Sequence, residues 1–182
     1  ALCAARYAET LDYKKYKETA QLMLENIDEL NEFIGIRLPW ENRKKINIYL
    51  AAPDFPDVDT ELLDRLYNAL IYHNFNPRLP IRENGVCTGN INAQDELAIY
   101  QKDLTLLDEC NLLIAVLLFS DPGTLVELGM FKAAGKPTII FDPFNLCDNM
   151  FVRHTPDHLC KTIADVIGAV YLCMGRDQYE SV

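Results

Sequence analysis

Four side chains in this sequence are of types that transfer protons or act as nucleophiles when their surroundings are arranged for it. Glu127 lies in an almost wholly apolar stretch, where a carboxylate is costly unless it has partners. Asp121 precedes it in a turn, and Asp103 and Tyr49 lie in an earlier predicted helix and strand. Each also has an ordinary explanation. Glu127 could pair with a Lys or Arg, and Asp121 could cap a helix. Asp103 could be solvated, and Tyr49 could belong to the core.

The position of Glu127 along its predicted helix favours a chemical role. That helix is predicted from about Thr124 to Ala134, shortly after an apolar run that ends at Phe119. A helix amino terminus stabilises a nearby anion by roughly 0.3–1 kcal/mol. Because apolar residues surround Glu127, we expect the helix to be buried on all sides, with Gly129 allowing it to pack closely on a sheet.

Short apolar runs alternate with helical stretches from residue 46 onwards. Fully apolar runs are typical of parallel strands that are covered on both faces. The alternation predicts a doubly wound α/β fold of the Rossmann or flavodoxin type, with a parallel sheet of about five strands and helices on both faces. The predicted strands are 46–51, 76–80, 112–119 and 137–141, and the predicted helices are 60–73, 95–110, 124–134 and 155–174.

The segments that follow the predicted strands are where a ligand is expected, because open parallel sheets bind ligands beyond the carboxyl ends of their strands. One of these segments, residues 81–94, is rich in Asn and is predicted as a loop. The last helix is predicted to begin with Thr155 as its N-cap and Pro156 in its first position.

The first 45 residues differ in charge from the rest of the chain. They carry 8 basic and 8 acidic side chains, whereas residues 46–182 carry 9 basic and 19 acidic ones and account for the whole net charge of −10. Residues 13–35 have an apolar stripe at helical spacing. We therefore predict an N-terminal helical extension over 1–45, packed on the domain or on a second copy, and an α/β domain over 46–182.

Composition and charge argue against several classes of function. The acidity argues against a nucleic-acid or anionic-membrane surface, which needs clustered Lys and Arg. The longest apolar run has eight residues, whereas a membrane-spanning helix needs about 20. The chain starts without Met and without the order of a signal peptide, so we expect a processed chain or a fragment.

The cysteines and histidines predict no disulfide framework and no metal site. None of the six cysteines forms a CxxC pair, which favours reduced, mostly buried thiols in a cytoplasmic protein. Pro156 interrupts the register between His154 and His158, so these residues and Cys160 are better explained as scattered surface residues.

Four stretches combine the candidate residues with particular neighbours: Ile48–Phe55, Gln101–Leu104, Asp121–Gly129 and Gly135–Pro137. Taken together they resemble the nucleoside 2-deoxyribosyltransferase family over about residues 46–152. The third stretch followed by Gly-Lys-Pro is the specific part, and residues 1–45 have no counterpart.

The resemblance implies a ping-pong exchange of nucleobases on 2-deoxyribose that requires no metal or cofactor. It implies that Glu127 attacks the anomeric carbon and forms a glycosyl ester. Asp103 would protonate the departing base and deprotonate the incoming one. Asp121 would bind the sugar hydroxyls, and Tyr49 would orient the nucleophile. These roles agree with the chemistry of retaining glycosidases, in which two carboxyl groups in different environments stabilise an oxocarbenium-like transition state.

The resemblance also implies substrate contacts outside this group. Asn149 is similar to an asparagine that a neighbouring subunit lends to the sugar 5′-hydroxyl, and Asn84 to an amide that reads the base. The other expected substrate contacts are Gly123, Met150 and Phe55. The implied partners are small-molecule nucleosides and nucleobases, together with further copies of the chain in a homo-oligomer that shares its sites.

Two other functions stay open. A hydrolase of the same superfamily would cleave deoxynucleosides or their 5′-monophosphates with water, but such enzymes carry a Gly-, Ser- and Arg-rich phosphate loop after the first strand. Here that segment holds Asp54 and Asp57, which would repel a phosphate, although Arg82 could reach one. The second is a non-catalytic nucleotide-sensing or regulatory module, and the presence of Asp103, Asp121 and Glu127 argues against it. Because the acidic side chains of the loop and the site would repel a phosphate, we expect the site to prefer an uncharged nucleoside.

Overall fold

The computed structural model describes residues 38–85 and 91–175. The helix predicted over residues 13–35 lies outside these ranges. The described strands are β1 (Asn47–Ala51), β2 (Asn76–Arg78), β3 (Leu112–Val116), β4 (Thr138–Phe141) and β5 (His158–Cys160). They form one parallel sheet in the order β2-β1-β3-β4-β5. Every residue of β3 is buried, as its unbroken apolar sequence predicts.

Helices connect these strands and cover both faces of the sheet. They are α1 (Trp40–Arg43), α2 (Glu61–Tyr72), α3 (Pro80–Asn84), α4 (Ala93–Glu109), α5 (Pro122–Ala133), α6 (Met150–His154) and α7 (Ile163–Gly175). The prediction of a doubly wound α/β fold is therefore confirmed.

The alternation of side chains along each strand divides the core in two. One core joins Ile48 and Leu50 of β1 to the apolar sides of α2 and α7. The other joins Tyr49 and Ala51 to α4 and α5. Because neighbouring residues of a strand point to opposite faces, Tyr49 is directed at the layer that holds Asp103 and Glu127.

The prediction of one helix over 155–174 is wrong. Thr155 follows α6, and β5 pairs with β4 at the edge of the sheet before α7 begins at Ile163. The backbone N–H of Asp157 donates to the Thr138 carbonyl, and its carboxylate accepts from the Thr138 N–H, so this stretch continues the sheet. The N-terminal cap of α7 is provided instead by Thr162, whose hydroxyl accepts from the Asp165 N–H.

The expectation that α5 is buried on all sides is also wrong. Leu128 and Phe131 face the core, but Val126 and Met130 are exposed. Gly129 is exposed too, and a methyl group built there would meet nothing within 4 Å, so it does not serve close packing on the sheet. Helix α5 therefore carries apolar side chains on both its buried and its exposed sides, and only the buried side contacts the described chain.

The remaining differences from prediction are local. The predicted loop 81–94 contains most of α3 and the first residues of α4, whose N-cap Asn92 accepts from the Gln94 and Asp95 N–H groups. Of the four described cysteines, Cys110 and Cys160 are buried, whereas Cys147 and Cys173 are partly exposed, so the prediction of buried thiols holds for two of them. Within the two described ranges, no helix is long and apolar enough to cross a membrane.

Candidate active site

The candidate site lies where β1 meets α4 and α5. The Tyr49 hydroxyl donates a 2.6 Å hydrogen bond to Glu127 Oε1 across this junction. Tyr49 is completely buried, and its ring packs in the second core. The strand therefore presents a fixed hydroxyl to one oxygen of the carboxyl group, while Glu127 Oε2 accepts no hydrogen bond from any described residue.

Burial dominates the electrostatics of Glu127. It raises the pKa of this carboxyl to about 7, the hydrogen bond from Tyr49 acts in the opposite direction, and the charges of Asp103 and Asp121 raise it further. In the described part of the chain Glu127 contacts no Lys or Arg, so the explanation as a structural ion pair does not apply.

The amino terminus of α5 does not stabilise Glu127 as we expected from the sequence. Glu127 is the sixth residue of the helix, and the influence of a helix terminus falls off within the first turn. Asp121 is the N-cap instead, and its Oδ2 accepts from the Thr124 N–H at 2.9 Å and from the Thr124 hydroxyl at 2.7 Å. Gly123 leaves room for this carboxylate, because a Cβ there would lie 3.3 Å from Asp121 Oδ2.

Tyr49 is held in its protonated form. Burial raises the pKa of its hydroxyl far above the usual value, and the adjacent charge of Glu127 raises it further. The hydroxyl can therefore act only as a hydrogen-bond donor to the carboxylate at physiological pH.

Asp103 faces the same junction from the middle of α4. Burial raises its pKa, whereas a 2.8 Å hydrogen bond from the Asn84 side-chain amide and the charge of Lys102 act to lower it. Asn84 is the last residue of α3, so the structure brings it to Asp103 across two helices. The charge of Asp103 is in turn one of the causes that raise the pKa of Glu127.

The other predicted substrate contacts lie on other segments of the described chain. Phe55 is partly buried in the loop after β1. Asn149 is the N-cap of α6 and accepts from the Phe151 N–H, while Met150 is exposed. In the described ranges neither Asn149 nor Met150 forms a hydrogen bond with Glu127, Asp103 or Asp121.

Asp142, which was not among the candidates predicted from the sequence, shapes the loop before Asn149. Asp142 directly follows β4 and is fully buried. Its carboxylate accepts from the N–H groups of Leu146 and Cys147 and from Lys161 Nζ at 2.7 Å. Burial alone would raise the pKa of Asp142, but these three donors lower it. The sequence signal that could have identified Asp142 is an acidic residue directly after a buried strand.

The acidic loop after β1 does not carry a free negative charge at Asp54. Arg82 binds Asp54 through Nε at 2.6 Å and Nη2 at 3.1 Å, and its Nη2 also lies 2.7 Å from Asp64 Oδ1. Among the residues of known placement, no group of three or more His, Cys, Asp or Glu side chains could hold a metal ion.

Comparisons with known proteins bear on the family and the fold of this chain. Residues 48–154 match a family model described as nucleoside 2-deoxyribosyltransferase. A 2-deoxyribosyltransferase from the psychrotolerant bacterium Bacillus psychrosaccharolyticus is similar at 25% identity with a TM-score of 0.53, covering 66% of this chain and 89% of that one. A conserved protein from Enterococcus faecalis V583 shares the fold at 17% identity with a TM-score of 0.59, covering 70% and 98%. No curated protein matches the chain in sequence.

Proposed function

The chain belongs to the nucleoside 2-deoxyribosyltransferase family, and we propose that it exchanges nucleobases on 2-deoxyribose through a covalent glycosyl ester on Glu127. The observation that carries this proposal is the hydrogen bond from Tyr49 to Glu127 beside Asp103 and Asp121. The Glu127 carboxyl accepts a hydrogen bond from a neutral donor and contacts no described cation, so its negative charge is available for attack once it ionises near pH 7.

In the first half-reaction Glu127 attacks the anomeric carbon while the bond from that carbon to the base nitrogen breaks. The Tyr49 hydroxyl binds Oε1, so Oε2 is the oxygen that forms the ester. Asp103 donates its proton to the departing base and becomes a carboxylate. Its raised pKa supports this role, because an acid must hold its proton near neutral pH.

The second half-reaction reverses these steps with a new base. Asp103 removes a proton from the incoming nucleobase, whose nitrogen then attacks the anomeric carbon. The ester bond breaks and the Glu127 carboxylate is restored. The Tyr49 hydrogen bond stabilises that carboxylate as the leaving group. Asp121 binds the sugar hydroxyls from the start of α5.

The charges near the site favour a nucleoside over a nucleotide. Arg82, the cation considered as a phosphate ligand, is already bound to Asp54 and Asp64. A 5′-phosphate would have to displace one of these carboxylates while its own charge is repelled by the others. We therefore assign an uncharged deoxynucleoside as the donor.

Base exchange provides the direct test. The full chain is incubated with deoxyinosine and free cytosine, and deoxycytidine and hypoxanthine are separated by chromatography. We expect both products with the wild type and none with Glu127→Gln. Glu96→Gln is the matched control, since Glu96 is exposed on α4 and its loss should leave exchange unchanged. Incubation with deoxyinosine alone should add the mass of one deoxyribosyl group to Glu127.

The two other functions give different results in the same assay. Free deoxyribose without exchange across several bases would support the hydrolase and contradict the transferase. Nucleoside binding that persists in Glu127→Gln, with no turnover by the wild type, would support a sensing module.

We also propose that the protein forms a homo-oligomer in which a second copy completes the site. The two helices that carry Asp103 and Glu127 also expose large apolar side chains, namely Leu97 and Tyr100 on α4 and Val126 and Met130 on α5. Exposed apolar surface of this kind marks interaction sites. Light scattering of the full chain should give a multiple of the 20.8 kDa protomer mass, and Val126→Glu should shift it toward the monomer. A monomeric wild type would contradict this assembly.

A further inference from the structure

Arginine–carboxylate pairs fix the short helix α3 at the edge of the site. Arg78 of β2 binds Glu83, and Arg82 binds Asp54 of the loop after β1 and Asp64 of α2. Arg82 thus connects α3 to two segments that lie 28 and 18 residues away along the chain. The Asp54 side chain is only 9% exposed, whereas Arg82 is 41% and Asp64 is 46% exposed, so only the Asp54 end of this network is shielded from solvent.

The orientation of α3 decides where Asn84 lies. Asn84 is the last residue of this helix, two positions after Arg82, and its amide lies 2.8 Å from Asp103 Oδ1. The following Gly85 has a φ of 103°, so the chain turns away at once and does not extend the helix. A rotation of α3 would therefore separate Asn84 from Asp103.

We propose that Arg82 is a positioning residue for the acid–base group: by tying α3 to the loop after β1 and to α2, it holds the Asn84 amide against Asp103. This inference rests on the proposed function, in which Asp103 transfers the proton. The planar guanidinium suits the task, because it binds Asp54 through two nitrogens and still reaches Asp64. The same contacts are the reason why Arg82 does not serve as a phosphate ligand.

The state of Asp103 can be measured without any turnover. We would follow its carboxyl carbon by ¹³C NMR during a pH titration of the full chain, in the wild type and in Arg82→Met, Asn84→Ala and the double variant. Arg65→Met is the matched control, since Arg65 is an exposed arginine of α2. Circular dichroism checks that each variant is folded, and Asp54→Asn tests the same contact if Arg82→Met does not fold.

We expect the pKa of Asp103 to rise in Asn84→Ala, because the amide stabilises the carboxylate. It should rise in Arg82→Met as well, and the double variant should match Asn84→Ala alone, since residues that act through one another are not additive. The kcat/KM of base exchange should fall by about tenfold in Arg82→Met, because small misplacements of catalytic groups are costly. Arg65→Met should change neither quantity.

Three results would overturn the inference. One is an unchanged Asp103 pKa in a folded Arg82→Met. Another is an additive double variant, which would show that Arg82 acts by its charge and not through Asn84. The third is a variant that loses turnover of a deoxynucleoside 5′-monophosphate while nucleoside exchange is unchanged, which would make Arg82 a phosphate ligand. A wild type without exchange would contradict the proposed function but leave the titration result standing.

Discussion

Replacing Tyr49 by Phe removes one oxygen atom and, with it, the hydrogen bond that the proposed nucleophile accepts. The ring of Tyr49 is completely buried in the second core, and Phe fills almost the same volume. The substitution therefore tests the contact with Glu127 and leaves the packing of β1 against α5 largely intact.

The magnitude follows from the geometry of the contact. A 2.6 Å hydrogen bond to a carboxylate stabilises the charged form, and such bonds are worth about 1.5–3 kcal/mol. A tenfold change in the ionisation constant corresponds to about 1.36 kcal/mol. We therefore expect the pKa of Glu127 to rise from about 7 to about 8–9 when the donor is lost.

The assay is the pH dependence of kcat/KM for base exchange, which reports on the ionising groups of the free enzyme. Since Glu127 must be ionised to attack, the acidic limb should move to higher pH in Tyr49→Phe. Well below that limb, kcat/KM should fall about tenfold for each pH unit by which the limb moves. The matched control is Tyr72→Phe, because Tyr72 is exposed at the end of α2. An acidic limb that stays in place or moves to lower pH would refute the reasoning.

Three further predictions concern stability in urea. Gly129→Ala should raise the free energy of unfolding by about 1 kcal/mol, because Gly is a poor helix former and a Cβ there meets nothing; a decrease would mean that Gly129 packs against another copy. Asp142→Asn should lower the free energy of unfolding by about 1–3 kcal/mol above pH 4. This loss should disappear in acid, as Asp142 of the wild type becomes protonated. Lys161→Met should lower the free energy of unfolding by less, since the Lys161 side chain is 44% exposed. Because the folded state keeps a proton on Glu127 up to about pH 7, unfolding free energy should fall between pH 4.5 and 7 by up to about 3 kcal/mol, and Glu127→Gln should remove that fall.

The sheet could be predicted from the sequence because its central strands are apolar on both faces. Every residue of β3 and β4 is buried, and the unbroken apolar run that indicates this can be found in the sequence alone. β5 could not be found in the same way, since it has three residues and only Cys160 is buried. The sequence Thr155-Pro156-Asp157 before β5 is typical of a helix start, but the residues after it pair with β4 and form a strand instead. The Thr162–Asp165 capping pair was the better signal.

The candidate site was predictable as a set of residues but not as an electrostatic arrangement. The resemblance grouped Tyr49 with Glu127, and the structure joins them by a hydrogen bond, while their catalytic roles stay predictions. The sequence placed Glu127 near a helix terminus, whereas its pKa depends on burial, on the hydrogen bond from Tyr49 and on the charges of Asp103 and Asp121. The contact of Arg82 with Asp54 joins residues far apart in the chain, and no local pattern indicates it.

The two halves of helix α4 differ in how well they pack against the rest of the protein. Its second half packs through Leu106 and Leu107, whereas residues 92–98 are all exposed and rest on the Asn92 cap. Regions with few buried contacts open at low free-energy cost, so the first turns should unfold and refold many times before the sheet opens once. Asp103 sits at the border between the two halves. Opening of these outer turns should therefore leave the Asp103 carboxyl group and the sheet in place.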